Sequence, residues 1–224
     1  MSSFPHCDRA FEYADQVVGG TILACEWARL ACQRQLHDLD RFAAFDSAYV
    51  FDHQKAERIC QFIENFPHVK GEWARGGGKI RLEPWQCFSL TTVFGWQRRA
   101  RRNVRRFRLA YLDVGRKNAK STLASGVGLY LLAADNEPGA VVVSAATTRD
   151  QARLCFNDAQ SIARREVGFR RAFGVKVLAH AITQERGIAL ALAHQGDDLH
   201  REELSFAFGF VGQVEDLADV LKRR

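Results

Sequence analysis

Phe107-Arg-Leu-Ala-Tyr-Leu-Asp-Val114, Gly115-Arg-Lys-Asn-Ala-Lys-Ser-Thr122 and the following Leu123-Ala-Ser-Gly-Val-Gly-Leu-Tyr-Leu-Leu-Ala-Ala134 are the consecutive stretches whose reading decides the fold. The first has the β-branched and aromatic content of a strand. The third has a helical period, with Leu123, Ala124, Val127, Leu131 and Ala134 on one face. Strand, polar loop ending in Lys-Ser-Thr, then helix is the layout of a phosphate-binding loop. A helix N-terminus offers unpaired N–H groups and a partial positive charge to an anion. Lys120 would reach outer phosphate oxygens, and the Ser121 hydroxyl would ligate Mg²⁺. In the G-x-x-x-x-G-K-[ST] pattern the two glycine positions hold Val114 and Ala119 here, with Gly115 one residue late. If residue 119 needs a positive φ, alanine there costs about 1–2 kcal/mol. A basic turn before a core helix is the alternative reading.

Downstream, Ala140-Val-Val-Val-Ser144 is a short apolar run suited to a buried parallel strand, and Pro138-Gly139 turns the chain into it. Thr148-Arg-Asp-Gln151 has capping-box spacing, opening a helix with Ala152, Cys155, Phe156, Ala159 and Ile162 on one side. Phe173 to Leu178 reads as a further strand. The alternation predicts an α/β fold: a parallel sheet with crossover helices.

Upstream, Pro84 suits the first turn of a helix. Gln86 projects from that turn, and its amide has both the donor and the acceptor that adenine's N6/N7 edge requires. An exposed helical glutamine is the plainer reading. Gln97 to Arg108 holds Arg98, Arg99, Arg101, Arg102, Arg105, Arg106 and Arg108 with no acid. Phosphate backbones, an acidic protein surface and a solvated loop all remain open as its partner. Further upstream, residues 11–40 read as helix, interrupted or preceded by Gly19-Gly20, with Leu23, Trp27, Leu30 and Ala31 on one face. A second helix runs from about Asp52, its N-cap, to Phe66, with an apolar stripe of Ala56, Ile59, Cys60, Ile63 and Phe66. Gly76-Gly77-Gly78 is a loop.

The chain has 224 residues and a formal charge of +6, with 47% hydrophobic and 26% charged residues, which excludes a disordered or collagen-like chain. No apolar run approaches the roughly 20 residues that span a bilayer. No secretory signal is expected from the start of the sequence. The six cysteines contain no CxxC pair, so reduced, buried thiols are expected rather than a zinc site or a disulfide framework. Cys25 and Cys32 would stack on one helical face.

Several ordered segments resemble the large subunit of the terminase of tailed bacteriophages: Tyr13-Ala-Asp-Gln16, Ala24-Cys-Glu-Trp-Ala-Arg-Leu-Ala-Cys-Gln-Arg34, Phe66-Pro-His-Val-Lys-Gly-Glu-Trp73, Leu82-Glu-Pro-Trp-Gln86, Arg116-Lys-Asn-Ala-Lys-Ser-Thr-Leu-Ala124, Glu137-Pro-Gly-Ala140 and Ser144-Ala-Ala-Thr-Thr-Arg-Asp-Gln-Ala-Arg153. The likeness covers residues 10 to about 186. It implies a P-loop NTPase-type parallel sheet preceded by a helical region, with ATP and Mg²⁺ as cofactors. The expected organisation is an N-terminal helical region at 1–78, a partial ATPase core at 79–186 and an atypical tail at 187–224, with the family's nuclease domain absent. The family's motor drives double-stranded DNA into a procapsid. Its expected partners are DNA, a small terminase subunit, the portal and further copies of the large subunit, with no membrane. The expected location is the cytoplasm of the bacterial host. Carried over by position, nucleotide would contact Gln86 and Arg116, Lys117, Asn118, Ala119, Lys120, Ser121 and Thr122, with Ser121 on the metal and Arg116 near the γ-phosphate. Thr147, Arg149 and Gln151 lie in an element that couples nucleotide state to movement. The arginine run, Arg98, Arg99, Arg101, Arg102, Arg105 and Arg106, is the candidate DNA contact.

An ATPase of this class also needs an acidic pair after an apolar strand. Asp197-Asp198, Glu202-Glu203 and Glu215-Asp216 do not follow such a run. The sequence therefore predicts an incomplete sheet lacking a strand, a catalytically impaired form, and a change of reading frame or gene interruption after about residue 186. The alternative function is a non-catalytic nucleotide- or DNA-binding remnant of a prophage motor protein.

Overall fold

The computed structural model describes residues 3–115, 117–146, 148–184, 187–193 and 206–209, with backbone only at 102, 103, 149, 187–193 and 206–209. In chain order the elements begin with α1 (Pro5–Val18), α2 (Glu26–Arg41), β1 (Tyr49–Phe51), α3 (His53–Glu64), α4 (Gly71–Arg75) and α5 (Pro84–Gly95). Next come β2 (Trp96–Arg98), β3 (Arg101–Arg105), β4 (Leu109–Leu112), α6 (Lys120–Ala133), β5 (Ala140–Ala146) and α7 (Arg149–Arg165). The last are α8 (Val167–Phe173), β6 (Lys176–Val177), β7 (Ala181–Gln184), β8 (Gly187–Ala193) and β9 (Phe206–Gly209). They form two compact units, Met1–Glu64 with Arg81–Ala110, and Asn65–Ile80 with Tyr111–Arg224.

In the first unit α1, α3 and α5 share a core of Cys7, Ala10, Ala14, Ala56, Ile59, Cys60, Ile63, Cys87 and Leu90. The α3 stripe is buried as expected, and Asp52 caps that helix by accepting from the Lys55 amide at 3.1 Å. No side chain of its own caps α1. Glu57 does so from α3, accepting from the amides of His6 (3.0 Å) and Cys7 (3.3 Å) and pairing with the His6 ring. Burial pushes the Glu64 carboxyl up, but the Leu82 amide, His6 and Arg9 more than offset it and hold the group below its ordinary value.

The sequence misleads on α2. The interruption at Gly19-Gly20 is as the sequence reads: the Gly19 amide closes α1 on Asp15 O, Gly20 sits at φ +79°, and what differs is the face that α2 buries. Leu23 is 99% exposed and Trp27 79%, while α2 buries Cys32, Gln35 and Asp38. The polar residues go inward because partners wait for them. The Trp96 indole N–H donates to Gln35 Oε1 at 2.8 Å, and Arg106 pairs with Asp38 at 2.8 Å. Cys25, at the α2 N-cap, is exposed, so it does not share a face with buried Cys32. All six cysteines are unpaired and five are buried, as the lack of a spacing pattern predicts.

The arginine run is not a loop. Its centre is a β-hairpin, β2–β3, with β1 added antiparallel on the other side of β2. Gly95 precedes it because a Cβ there would lie 2.6 Å from the Phe51 ring.

In the second unit β5 runs parallel to β8, in register from Ala140↔Gly187 to Ala146↔Ala193. β8 then pairs antiparallel with β7, and β7 antiparallel with β6. This four-stranded sheet is mixed, not parallel. The expected strand at Phe173 to Leu178 shrinks to Lys176–Val177, and Phe173 ends α8 instead. A tight turn, with Leu178 N–H donating to Ala181 O at 2.8 Å, sends the chain straight back. Parallel pairing needs a crossover of a dozen or more residues, which that turn cannot supply. β4 pairs with β9, not with β5, among the described residues. Past residue 186, Gly187–Ala193 forms β8 beside β5, and the sheet as a whole is small and partial, as expected. The three acidic pairs lie outside the described residues.

Around this sheet, α6 buries Leu123, Ala124, Val127 and Leu129, and α7 buries Ala152, Cys155, Phe156, Ala159 and Ile162. Thr148 caps α7 by accepting from the Gln151 amide at 3.3 Å, matching the capping-box spacing. Residues 65–80 fold back through Ile80 N–H to Phe66 O at 2.8 Å, and Lys70 pairs with buried Asp158 at 2.7 Å. Among the described residues no helix is long and apolar enough to cross a membrane.

Candidate functional site

The loop between β4 and α6 has two non-glycine residues in the left-handed region, Lys117 at φ +68° and Ala119 at φ +54°. Both carry a Cβ that disfavours this conformation, at about 1–2 kcal/mol per residue. Asn118 steadies the turn by donating from Nδ2 to Gly115 O at 3.1 Å. Ala119 is the α6 N-cap and has no side chain to cap with. The first intrahelical bond is Leu123 N–H to Ala119 O at 2.9 Å, so the amides of Lys120, Ser121 and Thr122 have no acceptor within the helix. The Lys120 ammonium folds back over the loop and donates to Val114 O at 2.5 Å. An uncapped N-terminus whose first residue carries an ammonium has the donors and the charge that an anion requires.

Ser121 lies in the first turn of α6, and α7 carries the buried thiol of Cys155. Burial, then the nearby Asp158 carboxylate, pushes that thiol up to about 11, so it is protonated and unreactive at neutral pH. Ser125, one turn on, has its hydroxyl 2.6 Å from Ser121 O and 2.7 Å from Cys155 O. At the carboxyl end of β5, Ser144 Oγ donates to Ala152 O at 2.8 Å, fastening the first turn of α7. No motif in the sequence marks Ser125 or Cys155. Their only signal is that Ser125 follows Ser121 at a four-residue spacing, on the same helix face.

The other candidates divide. Arg116 and Thr147 lie outside the described residues, and Arg149 and Arg102 are described by backbone alone. Gln86, in the first unit, is buried and is the third residue of a capping box. Its Oε1 accepts from Glu83 N–H at 2.9 Å. Arg98 and Arg101 are exposed at the ends of their strands. Arg99 turns inward, donating to Ser47 O at 2.8 Å and Ala44 O at 3.2 Å. Arg105 lies 5.1 Å from the Phe94 ring. Arg106 sits among Phe42, Tyr49, Trp96 and Phe107, each ring within 5.3 Å, and closes on Asp38. The described residues contain no His/Cys/Asp/Glu group able to hold a metal ion.

A family model described as "Terminase large subunit, ATPase domain" matches residues 84–207, more than half of the chain. The match starts at the first residue of α5 and runs past Arg186, where the resemblance in the sequence gives out. The crystal structure of the HK97 bacteriophage large terminase is similar with a TM-score of 0.52 and 25% identity, over 66% of this chain and 29% of that one. The chain thus spans less than a third of that protein's length. No curated protein matches significantly.

Proposed function

The chain belongs to the terminase large subunit, ATPase domain family, and from that premise we propose that it is the ATP-binding part of a motor that packages double-stranded DNA into a phage procapsid. The observation that carries this reading is the uncapped α6 N-terminus, whose first residue, Lys120, ties its ammonium to Val114 O across the loop. The residues fit a magnesium nucleotide. Lys117 to Thr122 would hold the phosphates, with Arg116 beside them and Ser121 on the metal. Mg²⁺ supplies charge neutralisation on the phosphate oxygens. The chain's own part is to present amides, an ammonium and a hydroxyl from a loop whose shape exists before ligand arrives. Gln86 is kept as the adenine contact on the resemblance alone. Thr147, Arg149 and Gln151 are proposed as the coupling element.

A helical region at 1–78 and an ATPase core at 79–186 remain the proposed functional division. Small subunit, portal and further copies of the chain are the proposed partners, and the bacterial cytoplasm the proposed location. Because no acidic pair follows an apolar run in the expected way, hydrolysis is assigned to carboxylates from another polypeptide. The isolated chain should bind ATP with Mg²⁺ and turn it over little or not at all. Rapid turnover that vanishes in Lys120→Ala would refute the impairment and support the site.

A second reading, a non-catalytic DNA-binding module, is favoured by the exposed Arg98 and Arg101 on the β2–β3 hairpin. Salt-dependent duplex binding without nucleotide dependence would select it.

A further inference from the structure

The segment between α3 and α5 closes on itself. Pro67 and Lys79 form an isolated antiparallel bridge, with His68 N–H donating to Gly78 O at 2.9 Å and Ile80 N–H to Phe66 O at 2.8 Å. Between the joined ends stand α4 and the glycine run, in which Gly77 has φ +65°. A compact surface loop with its ends held together is a frequent site of function.

The composition of this loop is specific. Lys70, Arg75 and Lys79 are exposed, against a single acid, Glu72. Arg164 and Arg165 are exposed in the last turn of α7, and Arg165 Nη1 donates to His68 O at 2.9 Å, which joins that turn to the loop. Lys70 pairs with Asp158, yet its side chain stays 60% exposed. Among these cations Trp73 is 73% exposed, with the His68 ring 6.1 Å from its own. No second large apolar side chain is exposed between residues 65 and 80, so Trp73 lacks the apolar surround of a protein-docking anchor. An open indole among cations fits a polyanion with bare π-faces instead. Phosphates answer the cations, and an unpaired base offers its face to the ring. A duplex keeps its base faces stacked inside and would leave the indole unused.

We propose that the loop from Pro67 to Lys79 binds single-stranded nucleic acid: Trp73 stacks on a base while Arg75 and Arg165 meet the flanking phosphates. The inference goes beyond the duplex of the proposed function. It uses nothing in the β4–α6 loop, so ATP binding can fail while it stands.

The test uses the full chain without ATP. The probe is a labelled oligothymidylate of about 12 nucleotides, within the span of such sites. Anisotropy gives the affinity, and tryptophan fluorescence reports the contact. The chain has four tryptophans and Trp27 is also exposed, so wild type is compared with Trp73→Phe and Trp73→Ala. Trp73→Ala should weaken binding about ten-fold, the size of one stacked base, and Trp73→Phe should keep most of the affinity. Quenching in the wild type should be lost in Trp73→Phe. Arg75→Ala should reduce the salt slope by about 0.7. Binding of a blunt duplex should not change in Trp73→Ala. The same loss with oligouridylate extends the site to RNA, and its absence there confines the site to DNA. Equal single-strand affinity in wild type and a folded Trp73→Ala overturns the proposal, as does no binding at all. So does quenching that survives in Trp73→Phe, because it belongs to another tryptophan; this arm also covers an alanine variant that fails to fold. Equal quenching by polyglutamate would show a general anion surface, suited to an acidic protein, and overturn it too.

Discussion

The Lys120 ammonium donates to the carbonyl oxygen of Val114, six residues earlier across the loop. The contact draws a flexible side chain back across the loop. An ammonium has three donors, and one backbone carbonyl uses one of them. Two donors and the positive charge remain available to an anion. The lysine is therefore restrained before any ligand arrives, which lowers the ordering cost of binding.

Ala119 is the weak point of that loop. It holds φ +54° with a methyl group where glycine would be unstrained. Ala119→Gly should raise the unfolding free energy by up to about 1 kcal/mol, the left-handed strain less the extra chain entropy of glycine. Ala119→Val should lower it by more than that. Chemical denaturation of the two variants checks the sign. A destabilised glycine variant would mean that the left-handed conformation is not the native one.

Gln86 carries a structural duty whatever else it does. Its Oε1 accepts from the Glu83 amide at the α5 N-terminus. Gln86→Ala should cost about 1 kcal/mol of stability in the absence of nucleotide. Equal thermal unfolding of variant and wild type would contradict the capping assignment.

The arginines should separate into two classes. Arg106 is enclosed by four aromatic rings and paired with Asp38, whose side chain is 4% exposed. Arg106→Ala leaves that carboxylate buried without its cation and should cost about 3 kcal/mol or more. Arg101 is exposed, and Arg101→Ala should change stability by less than about 0.5 kcal/mol. If Arg101 meets phosphate, its removal should reduce the salt slope of duplex binding by about 1. Parallel denaturation and salt titrations on both variants test the division.

The thiols predict alkaline instability. Burial, assisted by Glu57 and Asp8, raises Cys7 to about 12, and burial raises Cys32 to about 11. Each is protonated in the folded chain over a pH range in which the unfolded thiol, near 9, ionises. The folded state then binds more protons, so stability falls as pH rises. The contribution is complete below pH 9 and is lost between about 9 and 12 for Cys7. Denaturation midpoints at rising pH should show this decline, and Cys7→Ala should flatten it. At neutral pH an alkylating reagent should modify Cys25, the exposed cysteine, before the buried five.

Local signals in the sequence located the site well. The helix starts at Asp52, Pro84 and Thr148 each depend on a capping residue or proline acting on its own neighbours, and all three stand where the sequence puts them. The strand–loop–helix around Lys120 is of the same kind. What escaped depends on distant partners. Trp27 and Leu30 have the spacing of a core face, but Gln35 and Asp38 are drawn inward by Trp96 and Arg106 from far along the chain. The same Arg106 reads as one of a run of surface charges until its rings are seen. Strand direction at β6 and β7 was set by a turn whose geometry no residue pattern announced.

The most direct test of the whole account is calorimetric titration of the 224-residue chain with ATP in Mg²⁺, repeated with Lys120→Ala. The account predicts saturable heat in the wild type and a loss of at least about ten-fold in affinity in the variant, the size of a hydrogen bond to a charged group. No heat in the wild type, or equal binding by Lys120→Ala, would contradict it.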